Sequence, residues 1–274
     1  MNNSFTGKVA LITGAVGGIG RSAAKAFAKA GYKIAITDRE DEPLQAIKSG
    51  LELEMGAAVL ARAEDLSIET SWQDLTNDVL SEWGRIDVLV NNAAWRTVES
   101  MRSISLENWE KTIRICLTAP AFLARYVAEA MEKNGKGGAI INLSSAMAQR
   151  AAGYSPAYIA CKGGLQSLTY ELASLYGPKG IRVVCINPGN VETEMSADYF
   201  DAEGNNVSKL LTADMDLHTP LRRAASADEI ASVICWLASS EASFITGTSI
   251  LADGGFTHNF NSYLMKQLQF PDTF

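Results

Sequence analysis

The apolar residues of this chain fall into two kinds of segment that alternate along its whole length. Short runs rich in Val, Ile and Leu are typical of strands buried on both faces. These runs occupy residues 9–13, 33–38, 58–62, 87–91, 139–143, 181–187 and 248–251. Amphipathic stretches typical of helices separate them, at residues 18–30, 42–55, 67–83, 106–133, 155–176 and 227–239. The alternation predicts an α/β fold, a single-domain, Rossmann-like, doubly wound sheet of seven parallel strands with helices on both faces.

Two segments depart from this alternation. Residues 188–225 show no clear strand and no strong helix, and so long an irregular stretch is usually a substrate loop or lid. Residues 257–274 form an apolar tail, which we expect to pack, at a subunit interface for example; a disordered tail is the alternative. We therefore assign residues 1–256 to one domain that includes the loop, and residues 257–274 to a C-terminal extension.

Composition narrows the classes of function. The chain has 274 residues, 47% of them hydrophobic, and a net charge of −7. An acidic chain without a Lys/Arg cluster is a poor candidate for binding nucleic acid or an anionic membrane. No apolar run reaches the length of about 18 residues that a membrane span needs, and residues 1–8 do not resemble a secretory signal. We expect a cytoplasmic protein.

The cysteines are scattered and form no CxxC pair. In a cytoplasmic protein this pattern indicates reduced thiols rather than disulfides or a metal site. The four are Cys116, Cys161, Cys185 and Cys235. We expect no metal.

A glycine-rich turn follows the first predicted strand and opens a helix, in the sequence TGAVGGIG at 13–20. A dinucleotide pyrophosphate needs close backbone approach and free N–H groups at a helix N-terminus. The turn therefore predicts a nucleotide site, although ordinary turn chemistry also uses glycines. The candidate cofactor-binding residues of this turn are Gly14, Val16, Gly17, Gly18 and Ile19.

Asp38 ends the second predicted strand, 18 residues after Gly20. An acidic residue at this place accepts hydrogen bonds from the adenosine ribose and repels a 2′-phosphate, which favours NAD over NADP. Arg39 complicates this hypothesis because a guanidinium attracts that phosphate. A helix N-cap is the alternative role for Asp38.

Tyr158 and Lys162 are four residues apart in a predicted helix, so they share one face. A free tyrosine titrates near ~10, and a nearby ammonium lowers that value. Tyr158 is thus the candidate acid/base for an alcohol or carbonyl oxygen. Ser145 follows a predicted strand, where it can hydrogen-bond the same oxygen. A surface Tyr–Lys pair and a helix cap are the alternative interpretations.

The chain resembles the short-chain dehydrogenases/reductases. The similarity rests on the glycine turn, on NNAA at 91–94, on INLSS at 141–145, on YIACK at 158–162 and on NPGNVET at 187–193. This resemblance implies an NAD(H)-dependent oxidoreductase acting on CH–OH groups, with catalytic Ser145, Tyr158 and Lys162. It also implies that Lys162 binds the nicotinamide ribose and that the protein is a homotetramer or a dimer.

Further cofactor contacts are implied position by position. They are Asp65 and Leu66 at the adenine, Asn92 and Ala93 beside the adenosine ribose, and Pro188, Gly189, Val191 and Thr193 at the nicotinamide. Asp65 is equally suited to be the N-cap of the next helix.

The chain departs from the family at Cys116, where many members have an Asn that helps to form a water-linked proton path to the lysine. A thiol is a weak hydrogen-bonding group. Backbone carbonyls could hold the water instead, the proton could leave by another route, or the enzyme could be slow. A nucleophilic role is disfavoured, because a buried structural thiol is commoner.

Residues around the reacting carbon determine the substrate. By position, the candidates are Trp95, Arg96, Ser145, Met147, Gln149, Arg150, Tyr154, Asn190 and Met195, with Tyr199, Phe200 and His218 in the loop. Arg96 and Arg150 could bind a carboxylate or sugar hydroxyls, or form surface salt bridges. We expect a small sugar, polyol or hydroxy acid, converted between secondary alcohol and ketone or between lactol and lactone.

Two rival functions remain. A cofactor-binding regulatory protein that has lost catalysis is favoured only by Cys116. An epimerase or dehydratase that recycles its NAD is disfavoured, because such relatives usually carry a second domain.

Overall fold

A computed structural model describes residues 7–274, so residues 1–6 of the predicted domain lie outside the described part. Its centre is one sheet in which all neighbouring strands are parallel, in the order β3-β2-β1-β4-β5-β6-β7. The strands are β1 (Val9–Thr13), β2 (Lys33–Asp38), β3 (Val59–Ala63), β4 (Val88–Asn91), β5 (Gly138–Leu143), β6 (Ile181–Pro188) and β7 (Thr248–Ala252). The predicted fold class is confirmed.

The helices connect these strands across the two faces of the sheet. They are α1 (Gly18–Lys29), α2 (Asp41–Met55), α3 (Glu69–Trp83), α4 (Leu106–Ile113), α5 (Ala119–Asn134), α6 (Pro156–Tyr176), α7 (Ser208–His218), α8 (Ala227–Ala238) and α9 (Tyr263–Gln269). None of them within residues 7–274 combines the length and the apolar content that a membrane crossing requires.

Alternate residues of each strand contribute to two separate apolar layers, because successive side chains point to opposite faces of a sheet. In β1, Ala10 and Ile12 pack in the layer that contains α1, α2 and α8. Val9 and Leu11 pack in the other layer, which contains α3, α5 and α6. All five residues of β1 are buried, as expected for a central strand covered on both sides.

The strand order reverses between β1 and β4, since the chain continues from β1 to β2 and β3 on one side and returns to β4 on the other. In open α/β sheets, ligands bind in the crevice beyond the carboxyl ends of the strands at this reversal. The glycine turn after β1 and Asn92 after β4 meet there.

Two predicted features differ from the structure. The stretch 106–133, predicted as one helix, is two helices joined by the π-helical turn Arg114–Thr118. The prediction of no strong helix in 188–225 is wrong for residues 208–218, which form α7. The sequence pattern does not predict α7, because the helix has no buried apolar stripe. Ser208 is its only buried residue.

Candidate active site

A cavity of about 520 Å³ lies at the carboxyl edge of the sheet and extends from Asp38 to Tyr158 and Met195. It brings together most residues that were predicted to contact a dinucleotide. Those lining it are Gly14, Val16, Gly17, Gly18, Ile19, Asp38, Arg39, Asp65, Leu66, Asn92, Ala93, Tyr158, Lys162, Pro188 and Thr193. The fold therefore brings these predicted residues together around one cavity.

The glycine turn is held tightly against the end of β4. Gly14 has a φ of +66°, and a Cβ there would lie 2.7 Å from the Ala93 Cα. The Asn92 side chain donates to the carbonyl oxygens of Thr13 and Gly14, both at 2.9 Å. A Cβ at Gly20 would lie only 2.1 Å from the Gly14 oxygen. Close backbone packing thus explains the glycines at 14 and 20.

The N-terminus of α1 fits an anionic group. Its N-cap, Gly17, has no side chain to accept the first N–H groups of the helix. No side chain within residues 7–274 caps these N–H groups, which lie at the positive end of the helix dipole. Gly18 lies beneath the Thr193 side chain, where a Cβ would come within 2.8 Å of Cγ2. The turn is thus suited to hold a pyrophosphate, between α1 and the 188–193 segment.

Asp38 is fixed by two backbone hydrogen bonds. Its Oδ2 accepts from the Val16 N–H at 2.9 Å, and its Oδ1 accepts from the Arg39 N–H at 2.8 Å. The Arg39 guanidinium is 61% exposed and pairs with Glu40 at 3.1 Å. The Asp38 carboxylate is thus held in a fixed orientation in the cavity wall, while Arg39 pairs with Glu40 and not with Asp38.

Asp65 is not the N-cap of α3, since Ile68 holds that position. Its Oδ1 accepts from the Ser67 N–H at 2.8 Å. Although partial burial opposes the effect, hydrogen bonds from Ser67 hold the pKa of Asp65 below its usual value. Asp65 is therefore an ionised turn residue in the cavity wall.

Lys162 lies beside Tyr158 in a dry environment. Lys162 is 2% exposed and Tyr158 is 8% exposed. The Lys162 Nζ donates to the Leu143 carbonyl oxygen at 2.5 Å and is 5.2 Å from the centroid of the Tyr158 ring. The first turn of α6 is fixed by Ser155, whose Oγ donates to the Thr97 oxygen at 2.7 Å. These contacts fix the start of α6 and the Tyr158–Lys162 pair in the cavity wall.

The pKa of Tyr158 is raised in the structure, whereas the sequence predicted that Lys162 would lower it. Burial raises its pKa above the ordinary value, and the Lys162 ammonium and Arg96 oppose that increase only in part. A fully desolvated phenolate is costly even beside a cation. Before cofactor and substrate bind, Tyr158 is therefore neutral at pH 7 and has a proton to donate.

The two serines after β5 have different surroundings. Ser144 is buried and its Oγ donates to the Lys162 carbonyl oxygen at 2.8 Å, which ties β5 to α6. Ser145 is only partly buried, and its Oγ accepts from the Met147 N–H at 3.1 Å. Ser145 does not line the cavity, but its hydroxyl proton remains free for a donor role.

Cys116 lies in the π-helical turn and is fully buried. Its sulfur accepts from the Trp95 N–H at 3.3 Å and donates to the Trp95 carbonyl oxygen at 3.2 Å. Burial raises the pKa of the thiol, and Lys162 opposes this. The thiol is thus protonated, as a structural cysteine is. All four cysteines carry free thiols.

The candidate substrate residues divide into two groups. Trp95, Arg96 and Met195 line the cavity near Tyr158, together with Asp198. The Arg96 Nη2 donates to the Met195 carbonyl oxygen at 2.6 Å and to the Asp198 Oδ1 at 2.7 Å. These bonds connect the segment after β4 to the loop after β6.

The other group lies outside the cavity lining. Arg150 stacks on the Phe256 ring at 4.2 Å and donates to the Asn259 carbonyl oxygen at 3.0 Å, so it holds the C-terminal segment. Tyr154 packs on Tyr199, with 5.8 Å between ring centroids. Three further predicted substrate residues also lie outside the lining of the main cavity: Met147, Gln149 and Asn190. Asn190 borders a separate cavity of about 280 Å³. Two predicted cofactor residues, Gly189 and Val191, lie outside the main lining as well.

Sequence reasoning missed part of the cavity wall. Acidic residues at both ends line it, and none belongs to a recognisable motif: Glu40, Glu64, Glu194 and Asp198. Ala94, Ile115, Leu143 and Ser144 complete the lining. For Asp198 no local signal exists, since its place depends on the fold of the loop.

Comparison with known proteins shows the family to which the chain belongs. A doubly wound sheet with a glycine turn and a buried Tyr–Lys pair defines a nucleotide-binding oxidoreductase. The family model described as enoyl-(acyl carrier protein) reductase matches residues 14–257. The chain belongs to the short-chain dehydrogenase/reductase family, as predicted, and members of this family bind a nicotinamide cofactor, NAD or NADP.

Several relatives act on polyhydroxylated compounds. D-threitol dehydrogenase of Mycolicibacterium smegmatis is 36% identical over 92% of this chain and 93% of its own. Glucose 1-dehydrogenase 2 of Bacillus subtilis is 32% identical over 94% of this chain and 97% of its own. The structure of L-sorbose reductase from Gluconobacter frateurii, complexed with NADPH and L-sorbose, has a TM-score of 0.86 and 31% identity, covering 93% of this chain and 98% of that one. These similarities support interconversion of alcohol and ketone groups.

Proposed function

We propose that this protein is an NAD(H)-dependent oxidoreductase that interconverts a secondary alcohol and a ketone, or a lactol and a lactone, on a small polar substrate. The observation that carries the proposal is the buried Tyr158–Lys162 pair, which lies in the wall of the same cavity as the glycine turn and Asp38. A surface Tyr–Lys pair would have no reason to be desolvated.

The chain's own residues supply binding and orientation. When bound, the nicotinamide ring supplies the hydride acceptor or donor. The first N–H groups of α1 bind the pyrophosphate, and Lys162 binds the nicotinamide ribose. Thr193 and Pro188 border the same cavity. These residues form a continuous surface from the adenosine end to Tyr158.

Tyr158 handles the proton. During ketone reduction its hydroxyl donates a proton to the oxygen that becomes the alcohol, and during oxidation the phenolate takes that proton back. The Ser145 hydroxyl donates a hydrogen bond to the same oxygen. The positive charge of Lys162 stabilises the phenolate while it exists.

Asp38 supports NAD rather than NADP. Its carboxylate is oriented by two N–H groups and still offers lone pairs to the ribose hydroxyls, and a 2′-phosphate would meet its negative charge. L-sorbose reductase, a structural relative, was crystallised with NADPH. The preference of this chain for NAD is therefore tested by kinetics with both cofactors.

The full chain tests the reaction. The purified protein is incubated with NAD⁺ or NADP⁺ and a panel of sugars, polyols, hydroxy acids and simple secondary alcohols, and absorbance is followed at 340 nm. We expect NADH to accumulate with at least one alcohol. Product without net NADH would indicate a recycling enzyme. Cofactor binding without turnover would indicate the alternative, a catalytically lost regulatory protein.

We also propose a cytoplasmic homotetramer or dimer with residues 257–274 at a subunit interface. Apolar side chains of this extension support the proposal, since Phe260 is 92% exposed and Leu268 is 70% exposed in the isolated chain. Light scattering after gel filtration gives the mass of the full-length protein. A mass close to 29.4 kDa would contradict the assembly.

A further inference from the structure

Arg96 is almost completely enclosed where the substrate end of the cavity meets the loop after β6. Its side chain is 5% exposed. The Tyr199 ring covers the guanidinium, with 4.8 Å between Cζ and the ring centroid. Nη2 is engaged by the Met195 carbonyl oxygen and Asp198. These contacts hold one edge and one face of the guanidinium group.

Another nitrogen of the group, Nη1, is buried and has no hydrogen-bond partner in residues 7–274. Leaving a buried donor of a charged group unpaired is unfavourable. Bulk water does not reach this nitrogen, so a molecule in the cavity can meet it only when the segment that carries Met195 and Tyr199 moves. Arg96 therefore has an unused donor at the substrate end of the site.

The charges around Arg96 determine which acceptor fits. Asp198 neutralises the guanidinium at 2.7 Å, and its other oxygen, Oδ2, accepts no hydrogen bond from the described chain. Glu194 also lines the cavity, but it lies beside Gly18 and pairs with Arg21 at 3.3 Å. A substrate carboxylate beside Arg96 would meet the Asp198 carboxylate and a guanidinium that is already paired. A hydroxyl group suits the pair better, because it accepts from Nη1 and donates to a carboxylate.

We propose that Arg96 and Asp198 form a specificity site for uncharged, polyhydroxylated substrates. The Arg96 Nη1 donates a hydrogen bond to a substrate hydroxyl on a carbon other than the reacting one. The same hydroxyl donates a hydrogen bond to the Asp198 carboxylate. The loop segment that carries Met195 and Tyr199 adjusts as the hydroxyl enters. This inference rests on the proposed function and narrows it, since it selects sugars and polyols and excludes hydroxy acids.

Three four-carbon probes separate the possibilities. Threitol, tested as both enantiomers, carries hydroxyls on every carbon, 2-butanol carries only the reacting one, and 3-hydroxybutanoate carries a carboxylate. For the wild-type protein we expect kcat/KM for threitol to exceed that for either other probe by about 10- to 100-fold, as expected for a hydrogen bond to a charged group. Equal or better use of 2-butanol or 3-hydroxybutanoate would overturn the inference.

Variants of the pair make the test specific. Arg96→Lys keeps the positive charge but loses the forked second nitrogen, so the threitol-to-2-butanol ratio should fall by about 10-fold or more. Asp198→Asn removes the repelling charge, so the ratio of 3-hydroxybutanoate to threitol should rise. These ratios report on recognition, because a general loss of folding or of loop order lowers the rates with all three probes together.

Arg114→Lys is the matched control. Arg114 also stacks on an aromatic ring, Trp72, at 4.8 Å, and donates to a backbone carbonyl at 3.0 Å, but it lies outside the cavity lining. Its ratios should equal those of the wild type. An unchanged ratio in Arg96→Lys overturns the specificity site and leaves the proposed oxidoreductase standing. Absence of turnover by the wild type with every probe and with the wider panel overturns both. If Arg96→Lys does not fold, the Asp198→Asn ratio decides.

Discussion

Cys116 and Trp95 are joined by two hydrogen bonds that run in opposite directions. The sulfur accepts from the Trp95 N–H and donates to its carbonyl oxygen, at 3.3 and 3.2 Å. One thiol thus satisfies both backbone groups of a residue in the cavity wall. It also lies in the π-helical turn between α4 and α5. Cys116 is therefore a structural link between that turn and the segment that carries Arg96.

The first prediction concerns Cys116→Asn, which restores the amide common in the family. We expect kcat to change by less than about tenfold, because Lys162 already has a backbone acceptor in the Leu143 carbonyl. A tenfold change corresponds to about 1.4 kcal/mol in the activation barrier. The larger side chain should lower the free energy of unfolding by about 1–3 kcal/mol. Steady-state kinetics and denaturant unfolding measure the two effects. A rise in kcat of several orders of magnitude would reveal a defective proton path in the natural protein.

The second prediction concerns Tyr158→Phe, which removes one oxygen and retains the ring. We expect kcat to fall by about 10²- to 10⁴-fold, the usual contribution of a general acid/base. NADH should still bind, because the glycine turn and Asp38 are untouched. Turnover assays and fluorescence titration with NADH distinguish the two effects. Near-normal turnover would exclude Tyr158 as the proton-transfer residue.

The third prediction concerns pH. Burial raises the pKa of Tyr158, so the neutral, proton-donating form persists to alkaline pH. In ketone reduction with NADH, no cationic nicotinamide is present to lower that pKa. The rate attributable to Tyr158 should therefore stay constant from pH 7 to 9 and decline only above the ordinary tyrosine value near ~10. A pH profile of kcat/KM for reduction measures this, and an acidic-to-neutral decline would contradict it.

Much of the fold could be predicted from the sequence, because strands that are buried on both faces appear as continuous apolar runs. In β1 and β2 the apolar run and the strand share the same limits, 9–13 and 33–38. The π-helical turn could not be predicted, because its residues continue the helical pattern of the stretch 106–133 without a local signal. For α7 the reason is different: with no buried apolar stripe, its sequence gives no periodic signal.

The candidate site was predictable where backbone chemistry demands a residue type, as at Gly14, whose φ is +66° and whose Cβ would strike Ala93. It was less predictable where side chains converge from separate loops. Arg96 and Arg150 look alike in sequence, yet Arg96 lines the cavity while Arg150 binds the carbonyl of Asn259. The paths of the loop after β6 and of the segment after β7 decide this difference.

The fourth prediction compares two glycines in helices. Gly20→Ala places a Cβ 2.1 Å from the Gly14 carbonyl oxygen, which forces the cofactor turn to move. We expect a loss of unfolding free energy of at least about 1–3 kcal/mol and weaker NADH binding. Gly50→Ala is the control, since nothing lies within 4 Å of its Cβ. That variant should gain about 0.5–1 kcal/mol. Denaturant unfolding and NADH titration check both, and equal stability of the two variants would contradict the close packing at Gly20.

The last prediction concerns the choice of cofactor at Asp38. Asp38→Asn keeps a carbonyl oxygen for one backbone N–H group but removes the charge that repels a 2′-phosphate. The ratio of kcat/KM with NAD⁺ to that with NADP⁺ should fall by about 10- to 100-fold. Asp41→Asn is the matched control, because Asp41 is a nearby carboxylate that accepts from Gln45 and does not line the cavity. Its ratio should stay at the wild-type value. If the wild type prefers NADP⁺, or if Asp38→Asn leaves the ratio unchanged, then Asp38 does not select the cofactor, and Arg39 becomes the residue to examine, since its guanidinium is held only by an exposed pair with Glu40.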